Sequence, residues 1–398
     1  MNVMNNAKSK KSLLLYLIIS LSFLLFVGQN IIIERGSIAY WLFLFPMLLL
    51  LVNTREIVSN ICLKTWPILL MLVLVVFWGF CIGEPQIPLR IAILLLMISW
   101  LQLNDAQIKT KTLSYIYIAT ILISILMGVT FENFNQWGVI PGTSSSVVGN
   151  VWRVSFLPNI VNTAFFSLFI FIVCTKDLKT CRDNKFAIGL SLYFIVFSFV
   201  RSALISLAIY LFLHVLFSMI RSKRLVFLLS IIAVIASNLL VAYSLEILQA
   251  IQSWPLVDRV LLRGEHNLTA REMYVQLYRP WQWKEQWSIF MHSPHWMGEG
   301  LYDFNMMSTS DLGKSVYKSD AESLLIGMLA RYGLPALLFY GFLLFQNYKN
   351  ALQSDQWACA VFPAIIFICM NYGTIFHPAN ALFVMYFLLL LGGKKTFI

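Results

Sequence analysis

The chain has 398 residues, of which 59% are hydrophobic and only 12% charged, with a mean hydropathy of +0.77 and a formal net charge of +11. So few charges cannot cover a water-soluble protein of this length, while apolar runs of roughly 20 residues recur and each can cross about 30 Å of hydrocarbon. Composition therefore excludes a soluble domain, and it assigns the basic excess to membrane topology rather than to nucleic acid.

In chain order, apolar spans are predicted at 13–33, 39–53, 67–83, 91–103, 113–131, 160–175, 186–200, 202–220, 225–246, 322–346, 358–372 and 381–392. The fold class is an all-α polytopic membrane protein with about 12 transmembrane helices and one large periplasmic loop containing short helices. The division is 1–246 for spans one to nine, 247–321 for the loop, and 322–398 for spans ten to twelve. With both termini cytoplasmic, the inner segments hold 17 of the 29 basic residues and every lysine outside the large loop. The short outer segments carry only Arg35, Arg90, Arg153 and Arg201, which is the positive-inside pattern. The opening "NAKSKKSLLLYL" has the charge of a signal peptide but no small-residue cleavage site follows, so it reads as a retained helix. None of the six cysteines falls in the large loop, and no CxxC, HExxH, P-loop or GxGxxG motif occurs. The sequence thus calls for no metal and no cofactor.

Polar chemistry concentrates in two outer segments, Glu132 to Asn159 and roughly 247 to 321. The second carries Arg259, Arg263, Arg271, Arg279, Lys284, Lys314 and Lys318 together with Trp254, Trp281, Trp283, Trp287 and Trp296. Cations mixed with tryptophan suit an anionic headgroup on an amphipathic carrier, or a carbohydrate. Within it, Thr269 and Glu272 form a capping box, after which Arg271, Tyr274 and Tyr278 share one helix face up to Pro280. A second helix follows, with Trp283, Trp287, Phe290 and Met291 as its apolar stripe, suited to the membrane interface. Arg201 sits between two apolar spans. It reads either as a snorkelling arginine at the water boundary or as a buried phosphate ligand with a bidentate fork.

Glu322 stands at the mouth of the tenth span. Ser319-Asp320-Ala321-Glu322 is itself a capping box, so Glu322 reads as a cap, as a catalytic carboxylate, or as both, with Asp320 as the competing acid. Arg331, nine residues on, falls on the opposite helix face and reads as an interfacial residue. His292 and His295 lack metal-ligand company and read as surface residues, while His377, at an outer turn in "GTIFHPAN", reads as a residue within reach of the cavity.

Three segments, "RSALISLAIYLF", "REMYVQLYRPWQWKEQWSIFMHSPHWMGEGLYDF" and "AESLLIGMLARYGLPALLFYGF", follow the order seen in the O-antigen ligase and repeat-unit polymerase superfamily, which the chain resembles over roughly 195–345. Arg201-Ser202-Ala203 is similar to an SRGA-like motif without its glycine, and Arg271 with Tyr274 to an R-x-x-Y/W motif. Pro294, Gly298, Gly300 and Phe304 resemble a P-x-x-G-x-G-x-x-x-F turn, the proline one residue further off. Glu322-Ser323 stands where the family has His-Asn, and Leu329 to Gly333 where it has "LAELG".

The resemblance implies a metal-independent glycosyltransferase of the GT-C type at the outer face of the bacterial inner membrane. It would move a glycan from undecaprenyl diphosphate to a sugar hydroxyl. The implied catalytic residues are Glu322, Arg201 and Arg271, with Arg263, Arg279 and Tyr274 binding diphosphate and substrate. Implied partners are the undecaprenyl-diphosphate-linked oligosaccharide, membrane lipids and a chain-length regulator protein. Glu322 in place of His makes the chain polymerase-like more than ligase-like; the alternatives are a ligase acting on lipid A–core and a lipid-linked glycan flippase. Against the flippase, the spans show neither an internal repeat nor paired broken helices.

Overall fold

The computed structural model describes residues 76–77, 80–81, 108–126, 154–157, 160–251, 253–254, 279–299, 303–307, 314–318, 323–371, 385–386, 388–390 and 394–398. The helices are α1 (Thr110–Leu126), α2 (Ile160–Cys174), α3 (Leu178–Asp183), α4 (Lys185–Phe197), α5 (Arg201–Met219), α6 (Lys223–Ala242), α7 (Ser244–Ile251), α8 (Arg279–His292), α9 (Leu324–Tyr332), α10 (Pro335–Leu352) and α11 (Gln356–Asn371). Between α8 and α9 an antiparallel hairpin pairs β1 (Asp303–Met307) with β2 (Lys314–Lys318), with Phe304 opposite Tyr317. The sequence reading expected short helices in the large loop and had no strand there. The spans predicted at 113–131, 160–175, 186–200, 202–220, 225–246 and 358–372 correspond to α1, α2, α4, α5, α6 and α11. Those at 13–33, 39–53 and 91–103 lie outside the described residues, as do most of 67–83 and part of 381–392.

Two helices form the centre. α2 is buried from Asn162 to Cys174 and α11 from Trp357 to Cys369. α1, α4 and α5 pack against α2, while α5, α6 and α10 pack against α11. α5 and α6 are long and apolar enough to cross a membrane. On α6 the exposed face is Leu225, Leu228, Ile232, Ile235 and Leu239, and the buried positions include Ser230 and Ser237. Polar-in and apolar-out is the reverse of a soluble helix, and it is stable only where the surroundings are hydrocarbon. Ser230 accepts a hydrogen bond from Asn347 on α10 at 2.6 Å, which ties those two helices together inside the bundle.

One end of the bundle is closed by a latch. Residues 396–398 pair with Ile108 and Thr110 through three backbone hydrogen bonds of 2.7 Å. Phe397 is fully buried, edge-on to Phe169 and Trp357, and its carbonyl accepts from Lys176 Nζ. Asp355 accepts from the Lys394 N–H at 2.6 Å, Lys223 Nζ donates to the Leu352 carbonyl at 2.8 Å, and Gln356 donates to the Ile220 carbonyl at 2.6 Å. Burial pulls the Lys176 ammonium below its usual range, against the attraction of Asp177. Burial would raise the Asp177 carboxyl, but hydrogen bonds from Thr180, with Lys176 and Lys394 nearby, hold it below its usual range. Lysines separated widely in sequence are thus gathered at this end.

The tenth span departs from the sequence reading. Residues 322–346 do not form one continuous helix: α9 stops at Tyr332, Gly333 takes φ +62° and ψ −143°, and Pro335 opens α10. α9 then folds back on α10, because the Tyr340 hydroxyl donates to the Leu325 carbonyl across 15 residues. A continuous helix would hold those residues about 22 Å apart.

Candidate functional site

The other end of the bundle holds the irregular backbone. Gln356 at the start of α11 bonds the end of α5, so the two helices run antiparallel. Arg201, the first residue of α5, therefore lies at the level where α11 finishes, near Met370 and Asn371. There Trp283 of α8 donates its indole N–H to the Met370 carbonyl at 3.1 Å, and α8 packs against α9 and α6. Segment 154–157 joins the same end through the Val154 N–H on the Phe197 carbonyl at 2.9 Å. Next to it Phe199 takes φ +51° in the turn that leads into Arg201, whose side chain is half-buried.

α8 and α9 are locked together by two glycines. The Glu299 N–H donates to the Ala330 carbonyl and the Leu334 N–H to the Trp296 carbonyl, each at 2.9 Å. A Cβ on Gly298 would stand 2.4 Å from the Arg331 carbonyl oxygen, and one on Gly333 would stand 2.2 Å from that of Trp296. Both glycines also have positive φ, so any side chain there would meet backbone and strain as well. The turn between them places His295 and Trp296 in the left-handed region, held by Ser293, whose hydroxyl accepts from the Gly298 N–H at 3.1 Å. The turn at Pro294–Gly298 and the "LARYG" segment are two halves of one backbone contact.

The cap of α9 corrects the expected capping box. Ser323, extended at φ −108° and 2% exposed, is the N-cap and accepts from the Ile326 N–H at 3.4 Å. Glu322 therefore precedes the cap instead of occupying the third helical position, and Ser319 is not the residue that starts this helix. Glu322 itself lies outside the described residues, as do Arg263, Arg271, Tyr274 and Asp320. Arg279 is described by its backbone, as the first residue of α8.

Two further results depart from the sequence reading. Arg331, taken there as interfacial, is 6% exposed on a helix buried along nearly its whole length. A guanidinium buried there is costly to desolvate unless it is paired. The apolar stripe of α8 is also different: Trp283 and Phe290 are buried, whereas Trp287 and Met291 are half exposed. Gln282 and Gln286 take the inward positions beside them, at 4% and 0% exposure. Gln282 Oε1 and both polar atoms of Gln286 make no hydrogen bond. Each such buried atom costs about 1–3 kcal/mol when unsatisfied. The i, i+4 spacing of two glutamines on the face of Trp283 was the sequence signal for this pair.

Among the described residues no three His, Cys, Asp or Glu side chains come close enough to hold a metal ion. The arrangement offers cations, a buried helix N-terminus and hydrogen-bonding amides beside a lipid-exposed bundle, which suits an anionic, hydroxyl-rich ligand on a lipid carrier.

Residues 186–341 match the family model described as O-antigen ligase. The matched stretch runs from α4 to the first turns of α10, so it contains Arg201, the glycine lock, α8 and α9. The match supports the O-antigen ligase and polymerase superfamily, whose members are membrane proteins of the glycosyltransferase kind acting on lipid-linked oligosaccharides in O-antigen biosynthesis. No curated protein matches the chain.

Proposed function

We propose that the chain is a repeat-unit polymerase of the inner membrane: it transfers a glycan from undecaprenyl diphosphate to a lipid-linked acceptor repeat unit at the periplasmic face. What carries this reading is the coincidence, within the family-matched stretch, of Arg201 with a bundle end where the N-cap of α9, Ser323, directly follows Glu322. The latched end, with its gathered lysines, is then cytoplasmic and the glycine-locked end periplasmic. Twelve spans and the loop at 247–321 complete the topology.

In the reaction an acceptor hydroxyl oxygen attacks the anomeric carbon of the donor sugar. The bond from that carbon to the diphosphate oxygen breaks, and its electron pair leaves with undecaprenyl diphosphate. The hydroxyl proton passes to the Glu322 carboxylate as general base. Arg201 and Arg271 stabilise the charge that grows on the departing diphosphate, with Arg263, Arg279 and Tyr274 orienting the donor and no metal required. The N-terminus of α9 adds its dipole to the same field. The acceptor class rests on Glu322 standing where the ligase pattern has His. The description of the matched family favours the second reading, transfer to lipid A–core.

Deletion of the gene separates the two when surface polysaccharide is run on a gel. Single repeat units capping lipid A–core are expected. Long chains retained on undecaprenyl diphosphate beside bare core would establish the ligase instead.

A further inference from the structure

We infer that Gln282 and Gln286 form a subsite for a neutral sugar ring of the lipid-linked glycan, an inference that rests on the glycan-transfer reading above. Among the described residues Gln286 alone has both side-chain polar atoms buried with no hydrogen bond, so exchanging its amide oxygen and nitrogen changes nothing. Gln282 adds a third such atom one turn away, at a Cβ separation of about 6 Å. The rest of that face is satisfied: the Trp283 indole reaches the Met370 carbonyl and the Ser293 hydroxyl reaches the Phe290 carbonyl at 2.7 Å. Ser206, Asn238 and Asn347 each have one such atom as well, so what sets α8 apart among the described helices is three within one turn, a group that calls for a partner.

Their chemistry limits the partner. An amide oxygen needs an O–H or N–H donor, which an ionised diphosphate and a polyprenyl chain both lack. An amide N–H₂ needs an acceptor. Adjacent sugar hydroxyls, or a hydroxyl beside an acetamido group, supply both over the width of one ring. In the structure α8 covers the pair against its neighbours. Access requires α8 to lift, and three unmet polar atoms lower the cost of that step. The half-exposed Trp287 and Met291 on its outer side leave α8 attached to little on that face.

Methionine matches glutamine in length and removes the polar atoms, so the test compares the wild type with Gln286→Met and Gln282→Met in proteoliposomes. Two readouts are taken: the concentration of lipid-linked repeat unit giving half-maximal rate, and the rise in Tm produced by the free repeat-unit oligosaccharide, which needs no turnover. The subsite predicts at least a tenfold rise in the first for Gln286→Met and disappearance of the second, with an unliganded Tm equal to or above that of the wild type. An unchanged half-maximal concentration and oligosaccharide-induced shift would overturn it. So would a lowered unliganded Tm alongside the loss, because the amide would then be structural. A wild type whose Tm rises with oligosaccharide but which extends no lipid-linked chain would sink the polymerase reading and leave the subsite standing.

Discussion

The two ends of the bundle are built differently. At the latched end polar groups pair across the chain: Lys176 with the Phe397 carbonyl, Asp355 with the Lys394 N–H, Gln356 with the Ile220 carbonyl. At the other end a helix is broken at Gly333, three residues from Phe199 to Trp296 take left-handed backbone without being glycine, and Gln286 is buried unsatisfied. Of the non-glycine residues with positive φ among the described residues, only Ser354 (φ +60°) falls at the latched end, so strain is concentrated at the glycine-locked end without being confined to it.

The contrast can be broken most forcefully at the latch. Phe397→Ala removes a fully buried ring and is expected to cost about 3–5 kcal/mol, read as a lowered Tm in detergent, with the half-maximal acceptor concentration unchanged. A change in that concentration would mean the two ends are coupled. Gly333→Ala drives a methyl into the Trp296 carbonyl and should cost about 3 kcal/mol; here polymer formation is lost with the stability. Glu322→Gln should slow polymer formation on the order of 100-fold with Tm unaltered, and full-length polymer at matched expression would remove the carboxylate from the mechanism. Arg201→Lys should slow it by a smaller factor, about tenfold, because the charge remains while the bidentate fork is lost. The smallest effect has the opposite sign. Gly189 on α4 and Gly341 on α10 have open space where a Cβ would go, so alanine at either should stabilise by about 0.5–1 kcal/mol.

The middle of the fold was legible because it is written in hydropathy: α4, α5, α6 and α11 fall within a few residues of the apolar runs that announced them. The break in the tenth span was not, because "LLIGMLARYGLPALLFYGF" stays apolar across it. The signal lay in chemistry, a glycine followed two residues later by proline, which is how helices end and restart. The sequence reading placed the cap at Ser319, and the N-cap is Ser323, which tertiary packing buries. Gln282 and Gln286 were hidden by the tryptophans around them, since aromatic residues dominate any reading of an interfacial stripe. Arg331 was misjudged because its face was reckoned against Glu322 on a helix that Glu322 does not enter.

The central claim is transfer between two lipid carriers, and the direct measurement is reconstitution. The purified chain in proteoliposomes is given undecaprenyl-diphosphate-linked repeat unit as both donor and acceptor, without divalent cation and with chelator present. The account predicts a ladder of products two, three and more repeats long, with one undecaprenyl diphosphate released per bond formed. No ladder, together with transfer once lipid A–core is supplied, would contradict it.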